Sequence, residues 1–166
     1  MDSTRRQTLS VIAATLAAAP LVRLRAQQPS PAENAPHRSP TSIHYQIDFA
    51  ASPQRLYQAI LDQKQFTAFS GLPATIDPTP GGAFSMFGGK IVGRTIELVP
   101  DQRIVQAWRP THWDPGIYSI VHFESIPHAA ETTLMFDHTA FPEGEYDSLD
   151  SGWQSHYWNP LKKYLV

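Results

Sequence analysis

Seven side chains in the second half of the sequence offer it most of its chemistry: Trp108, Trp113, Tyr118, Phe136, Trp153, His156 and Tyr157. Large aromatic rings bring apolar area and flat faces, and a phenol or imidazole adds a hydrogen-bonding tip. A pocket built from such groups takes a small hydrophobic or aromatic ligand, oriented by a few polar contacts. Trp153 and Tyr157 stand four residues apart, so on a helix they share one face. They are the strongest individual candidates, and Tyr118, His156 and Tyr157 are the candidates for the polar contacts. Any one ring taken singly has a plainer reading as core packing; the expectation rests on the set.

Other groupings carry less. His122 and Glu124 lie two apart on one predicted strand, and His138 lies on the next. Three such groups could bind zinc, but no further ligand stands at a diagnostic spacing, so no metal is expected. His112-Trp113-Asp114 offers a His–carboxylate pair for acid/base work, yet Pro110 and Pro115 flank it and mark a loop. Gly81-Gly82 and Gly88-Gly89 open hairpins rather than helices, which argues against a phosphate-binding loop. No serine sits in a nucleophile-elbow pattern. The sequence has no cysteine, which removes thiol catalysis, disulfides and thiolate metal sites together. No catalytic residue and no cofactor are therefore expected. Phe141 to Asp147 contains Pro142, Gly144 and three acids; it reads as a solvated loop, with a lid over a cavity mouth as the alternative.

Those side chains need elements to hold them. Ile43 to Phe49 alternates apolar and polar residues, the pattern of a half-buried strand. Ser52-Pro53 then opens a helix, with serine as N-cap and proline in the first helical position. Leu56, Tyr57, Ile60 and Leu61 recur at helical spacing, and a second short helix is predicted over Lys64 to Phe69, ended by Gly71. From Pro80-Gly81-Gly82 onward the chain reads as β. Strands are predicted over Ala83 to Phe87, Lys90 to Val99, Arg103 to Arg109, Ile117 to Ile126 and Glu131 to Thr139. Gly88-Gly89 is predicted as a two-residue hairpin connection, and Pro127-His128 as another turn. Such spacing predicts a curved antiparallel sheet. Leu149, Trp153, Tyr157, Leu161 and Tyr164 then form one apolar stripe of a final helix. Asp147, Ser148 and Asp150 offer capping oxygens at its start. Pro160 inside it removes a backbone hydrogen bond at a cost of about 3 kcal/mol, which predicts a kink near His156 to Asn159. The fold class is α+β, a helix-grip arrangement in which a curved antiparallel sheet grips a long C-terminal helix and leaves a cavity between them.

Residues 1–26 have the order of an export signal: Arg5-Arg6, an apolar run from Leu9 to Val22, then Ala26 as a small residue for cleavage. The paired arginines resemble a twin-arginine (Tat) signal. The apolar run is shorter than the roughly 20 residues of a membrane span, so no stable membrane anchor is expected after cleavage. The expected location is periplasmic, with a cytoplasmic one as the alternative. The whole chain has a formal charge of −2; residues 1–26 carry four arginines against Asp2, so the remainder carries −5. An acidic domain has no field to draw in nucleic acid. Residues 27–42, with Pro29, Pro31, Pro36 and Pro40 among polar residues, read as a disordered linker. Residues 43–166 form the domain.

Several ordered segments resemble a known family. They are Ser52-Pro53 with Leu56-Tyr57, Gly81-Gly82-Ala83-Phe84, Gly93, Glu97-Leu98-Val99-Pro100, Ile104-Val105 with Trp108, Glu131-Thr132-Thr133-Leu134 and Gly152-Trp153. Together they are similar to the homologues of the activator of Hsp-90 ATPase, within the wider SRPBCC or START-like group. Ala74-Thr75, Trp108-Arg109, Gln154 and Tyr157-Trp158 resemble the C-terminal domain of the eukaryotic co-chaperone in particular. The resemblance implies a helix-grip fold and a module that docks on a chaperone. Three functional expectations follow. The first is non-enzymatic binding of a small hydrophobic or aromatic ligand between sheet and helix. The second is a co-chaperone-like protein-interaction module. The third is a cyclase- or hydratase-like enzyme of the wider group.

Overall fold

The computed structural model describes residues 39–166; the expected export signal and most of the expected linker lie outside the described residues. The domain begins with β1 (Ser42–Phe49), followed by α1 (Pro53–Leu61) and α2 (Gln63–Ser70). Ser52 caps α1 as its sequence predicts, its Oγ accepting from the Arg55 amide at 3.3 Å. Gly71 closes α2 at φ 70°, a left-handed conformation that glycine adopts without penalty. Six strands follow: β2 (Thr75–Ile76), β3 (Ala83–Met86), β4 (Ile91–Val99), β5 (Arg103–Pro110), β6 (Ser119–His128) and β7 (Glu131–Thr139). All seven strands pair antiparallel in one curved sheet of order β1-β7-β6-β5-β4-β3-β2.

Two turns differ from expectation. β3 and β4 are joined through a short 3-10 turn, Phe87–Gly89, in which Phe87, Gly88 and Gly89 all have positive φ, rather than through a two-residue Gly-Gly loop. β6 runs through Pro127 and His128, and the hairpin turns instead at Ala129 and Ala130, with Ala129 at φ 54°.

The final helix has three parts: α3 (Tyr146–Gly152), a π-helical turn (Trp153–Trp158) and α4 (Asn159–Leu165). The kink predicted near His156 to Asn159 is replaced by this widened turn. Its flanking residues keep helical angles, Gly152 at −62°, −46° and Asn159 at −62°, −45°, and the Asn159 amide reaches back five residues to the Gln154 carbonyl. Pro160 accounts for the location. It has no N–H to return to residue 156, and its ring crowds that carbonyl; a π-type turn lets a helix absorb the conflict without breaking. The expected side-chain cap is also absent, since none of Asp147, Ser148 or Asp150 caps α3. Asp150 instead accepts a hydrogen bond from the Tyr45 hydroxyl. At the far end the Arg55 guanidinium donates to the Leu165 and Tyr164 carbonyls at 2.9 and 3.3 Å. It thereby supplies the last turn with the donors a helix C-terminus lacks.

Antiparallel register stacks the inward side chains in rows. One row runs Thr95, Gln106, Val121, His138, Ile43; the next runs Ile104, Phe123, Phe136, Tyr45. The helix lays Trp153, Tyr157, Trp158, Leu161 and Leu165 onto this face, all buried. The two short helices close the core with Leu56, Ile60, Phe66 and Phe69.

Candidate ligand-binding site

Between the first half of the final helix and the β3–β5 part of the sheet lies a cleft of about 420 Å³, open to solvent. Its floor is aromatic. Trp108 of β5 meets Trp153 of the π-turn at 4.7 Å between ring centroids, and Trp153 meets Tyr157 at 4.8 Å. Phe87, Leu72, Ile91 and Leu149 add apolar walls, and Lys90, His112, His156 and three serines of the helix line the rest. Gly152 also borders the cleft. A Cβ built there would meet nothing within 4 Å, so this one helical position leaves room where a side chain would stand.

The indole N–H groups of the floor are used elsewhere. Trp108 Nε1 donates to Gln106 Oε1 at 2.9 Å, and Trp153 Nε1 donates to His138 Nδ1 at 2.9 Å. Because Nδ1 accepts, the proton of a neutral His138 sits on Nε2, which donates to Ser119 Oγ at 2.7 Å. Ser119 in turn donates to the Trp108 carbonyl at 3.2 Å. A buried relay thus runs Trp153, His138, Ser119, Trp108, and it fixes both tryptophans of the floor. Burial lowers the His138 pKa from the usual imidazole value to about 3, so the ring is neutral. The Tyr157 hydroxyl is the exception to this saturation. It is buried and has no hydrogen-bond partner among the described residues. Burial pushes its pKa upward, so it remains a protonated donor. The floor therefore offers ring carbon, and the polar side chains Lys90, His112, His156 and the three serines stand around it.

The fold and this cleft invite comparison with known proteins. A sequence model described as "Activator of Hsp90 ATPase homolog 1-like protein" matches residues 50–166. The chain belongs to this family. Among the family's relatives, the human activator of 90 kDa heat shock protein ATPase homolog 1 is 32% identical over 115 residues, 69% of this chain and 34% of that one. An uncharacterized protein of Schizosaccharomyces pombe is 34% identical over 114 residues, again 34% of its length. The chain thus spans about a third of the length of the curated relatives it matches. Among solved structures, an HSP90 activator from Plasmodium falciparum superposes with a TM-score of 0.73 at 27% identity, covering 76% of this chain and 96% of that one. The Aha1 dimer of Colwellia psychrerythraea shares the fold at a TM-score of 0.64 and 16% identity.

On this activator-family fold, four of the seven expected site residues meet at the cleft: Trp108, Trp153, His156 and Tyr157. Phe136 lies deeper, 4.9 Å from the Trp158 ring, as core. Trp113 is buried beside the cleft rather than on it, its carbonyl accepting from Arg109. Tyr118 is 44% exposed, with the Arg109 guanidinium 6.0 Å from its ring. The zinc grouping does not form, because His138 pairs across from Val121 and faces inward while His122 pairs with Asp137 on the outer face. His112 contacts Glu145 at 3.3 Å instead of Asp114, and so ties the β5–β6 loop to the Phe141–Asp147 segment. Gly152, Phe87 and Leu72 were not legible as wall residues. Gly152 carries no side chain to register in a pattern, and the other two arrive from turns whose path has no periodicity.

Proposed function

We propose that the domain binds a small apolar ligand in the cleft between sheet and helix, without catalysing a reaction on it. The observation that carries this reading is the 420 Å³ cleft floored by the rings of Trp108, Trp153 and Tyr157. That volume lies within the range of small-molecule sites. The imidazole beneath the floor is saturated by Trp153 and Ser119, and His112 at the mouth is held by Glu145 at 3.3 Å. The order of basic, apolar and small residues over 1–26 supports placing this activity in the periplasm. The test is native mass spectrometry of the chain purified from its own compartment, together with titration of N-phenyl-1-naphthylamine against tryptophan fluorescence. A co-purifying small molecule and saturable quenching are expected; absence of both refutes the reading.

A second reading rests on the family. Its human relative is an activator of a heat-shock ATPase, and the match covers most of this domain but a third of that protein. This supports a chaperone-type partner bound through the exposed surface of the sheet. Stimulation of an Hsp90-class ATPase by the purified domain is the measurement that decides it.

A further inference from the structure

We infer that the ligand of this cleft is an anionic amphiphile, with a carboxylate, sulfonate or similar head at the mouth and an apolar, ring-sized body on the Trp108–Trp153 floor. The inference rests on the ligand-binding reading above and adds the charge of what is bound. The domain outside residues 1–26 carries −5, so a cleft taken at random from its surface would be bordered by carboxylates. This one is lined by Lys90, His112 and His156, and no Asp or Glu among the described residues lines it. Lys90 has no carboxylate partner among the described residues. Its carbonyl is engaged by Thr111, through N at 2.9 Å and Oγ1 at 3.2 Å, which fixes the backbone of the lysine against the mouth. Glu145, which approaches the mouth, is engaged by His112 at 3.3 Å. The floor cannot receive a charge, because both indole donors are committed inside the sheet and the Tyr157 hydroxyl is itself buried. Charge therefore belongs at the rim and hydrocarbon at the base.

Two probes with one ring skeleton test this on the full chain. 8-Anilinonaphthalene-1-sulfonate carries the anion, and N-phenyl-1-naphthylamine lacks it and is the more apolar. A purely apolar cleft prefers the neutral probe; the inference requires the sulfonate to bind about tenfold more tightly than its neutral partner. Lys90→Met should weaken the sulfonate about fivefold, the scale of one exposed ion pair, and leave the neutral probe unchanged. Lys163→Met, away from the cleft, should change neither. Equal affinities for the two probes overturn the inference while the ligand reading stands, and so does a Lys90→Met that weakens both alike or neither. Failure of both probes to bind overturns the ligand reading and the inference together.

Discussion

Gly152 offers a perturbation in which stability and binding must move in opposite directions. Its backbone sits at φ −62°, ψ −46°, ordinary helix that any residue adopts, so the glycine is not there for conformational freedom. Inside a helix it costs about 0.5–1 kcal/mol relative to alanine through the entropy of the unfolded chain. Nothing lies within 4 Å of the Cβ position, so an added methyl meets no steric penalty. Gly152→Ala should therefore stabilise the domain by about 0.5–1 kcal/mol, raising Tm by roughly 2–6 °C for a domain of this size. Gly152→Leu should keep that gain and push four carbons into the cleft beside Trp153. One surplus methylene in a fitted pocket costs about 1–3 kcal/mol, so binding should fall at least about tenfold. Thermal unfolding and fluorescence titration on the same samples read both effects. If Gly152→Leu destabilises the fold, the space around the Cβ is misassigned. If it stabilises and still binds both naphthalene probes with wild-type affinity, the cleft is not their site.

Three further outcomes follow from the buried groups. His138 is held near pKa 3 while an unfolded histidine titrates near 6.5, so its contribution to stability is whole above pH 6.5 and is lost as pH falls toward 3. Roughly 2–3 kcal/mol should disappear between pH 7 and pH 4.5 by urea unfolding, and the loss should shrink in His138→Gln; an equal loss in that variant would reject the assignment. Tyr157→Phe removes an unpartnered buried hydroxyl, so it should raise the urea midpoint by the equivalent of about 1 kcal/mol while weakening any ligand that accepts from it. Gly93→Ala should cost about 3 kcal/mol in the same assay, because its Cβ would stand 2.0 Å from the Ala107 carbonyl oxygen and 2.3 Å from the Phe84 ring.

Elements with strong periodicity were readable from sequence, and elements defined by single-residue conformation were not. β1, α1 and the apolar stripe of the final helix follow their expected boundaries because burial on one face imposes a period of two or of about four residues. β2 has two residues and no period to detect. The Ala129-Ala130 turn uses positive φ at an alanine, for which no residue preference signals, whereas Pro127 nearby drew the expected turn two residues early. The π-turn was visible only as a conflict at Pro160. The zinc grouping of His122 with His138 had a correction within reach. His138 alternates in phase with Leu134 and Phe136, while His122 falls between Val121 and Phe123, which places the two imidazoles on opposite faces. The relay through Ser119 required three-dimensional register, because Trp153, His138 and Ser119 come from three different elements.

The two functional readings occupy opposite sides of one sheet, which makes them separable. The concave side carries the aromatic floor and is screened from any large partner by the final helix. The convex side carries exposed polar pairs: His44 with Asp137 at 2.7 Å and Arg103 with Glu97 at 2.6 Å. Exposed pairs of this kind contribute about 0–1 kcal/mol to stability, so their presence is not explained by folding. A partner bound there would not sense whether the cleft is filled, unless filling it shifts Trp153 and, through His138, the β7 strand that bears Asp137. Gly152→Leu occupies part of the cleft permanently. A family member whose chaperone contact survives that substitution uses the convex face alone; one whose contact is lost transmits occupancy through the buried imidazole.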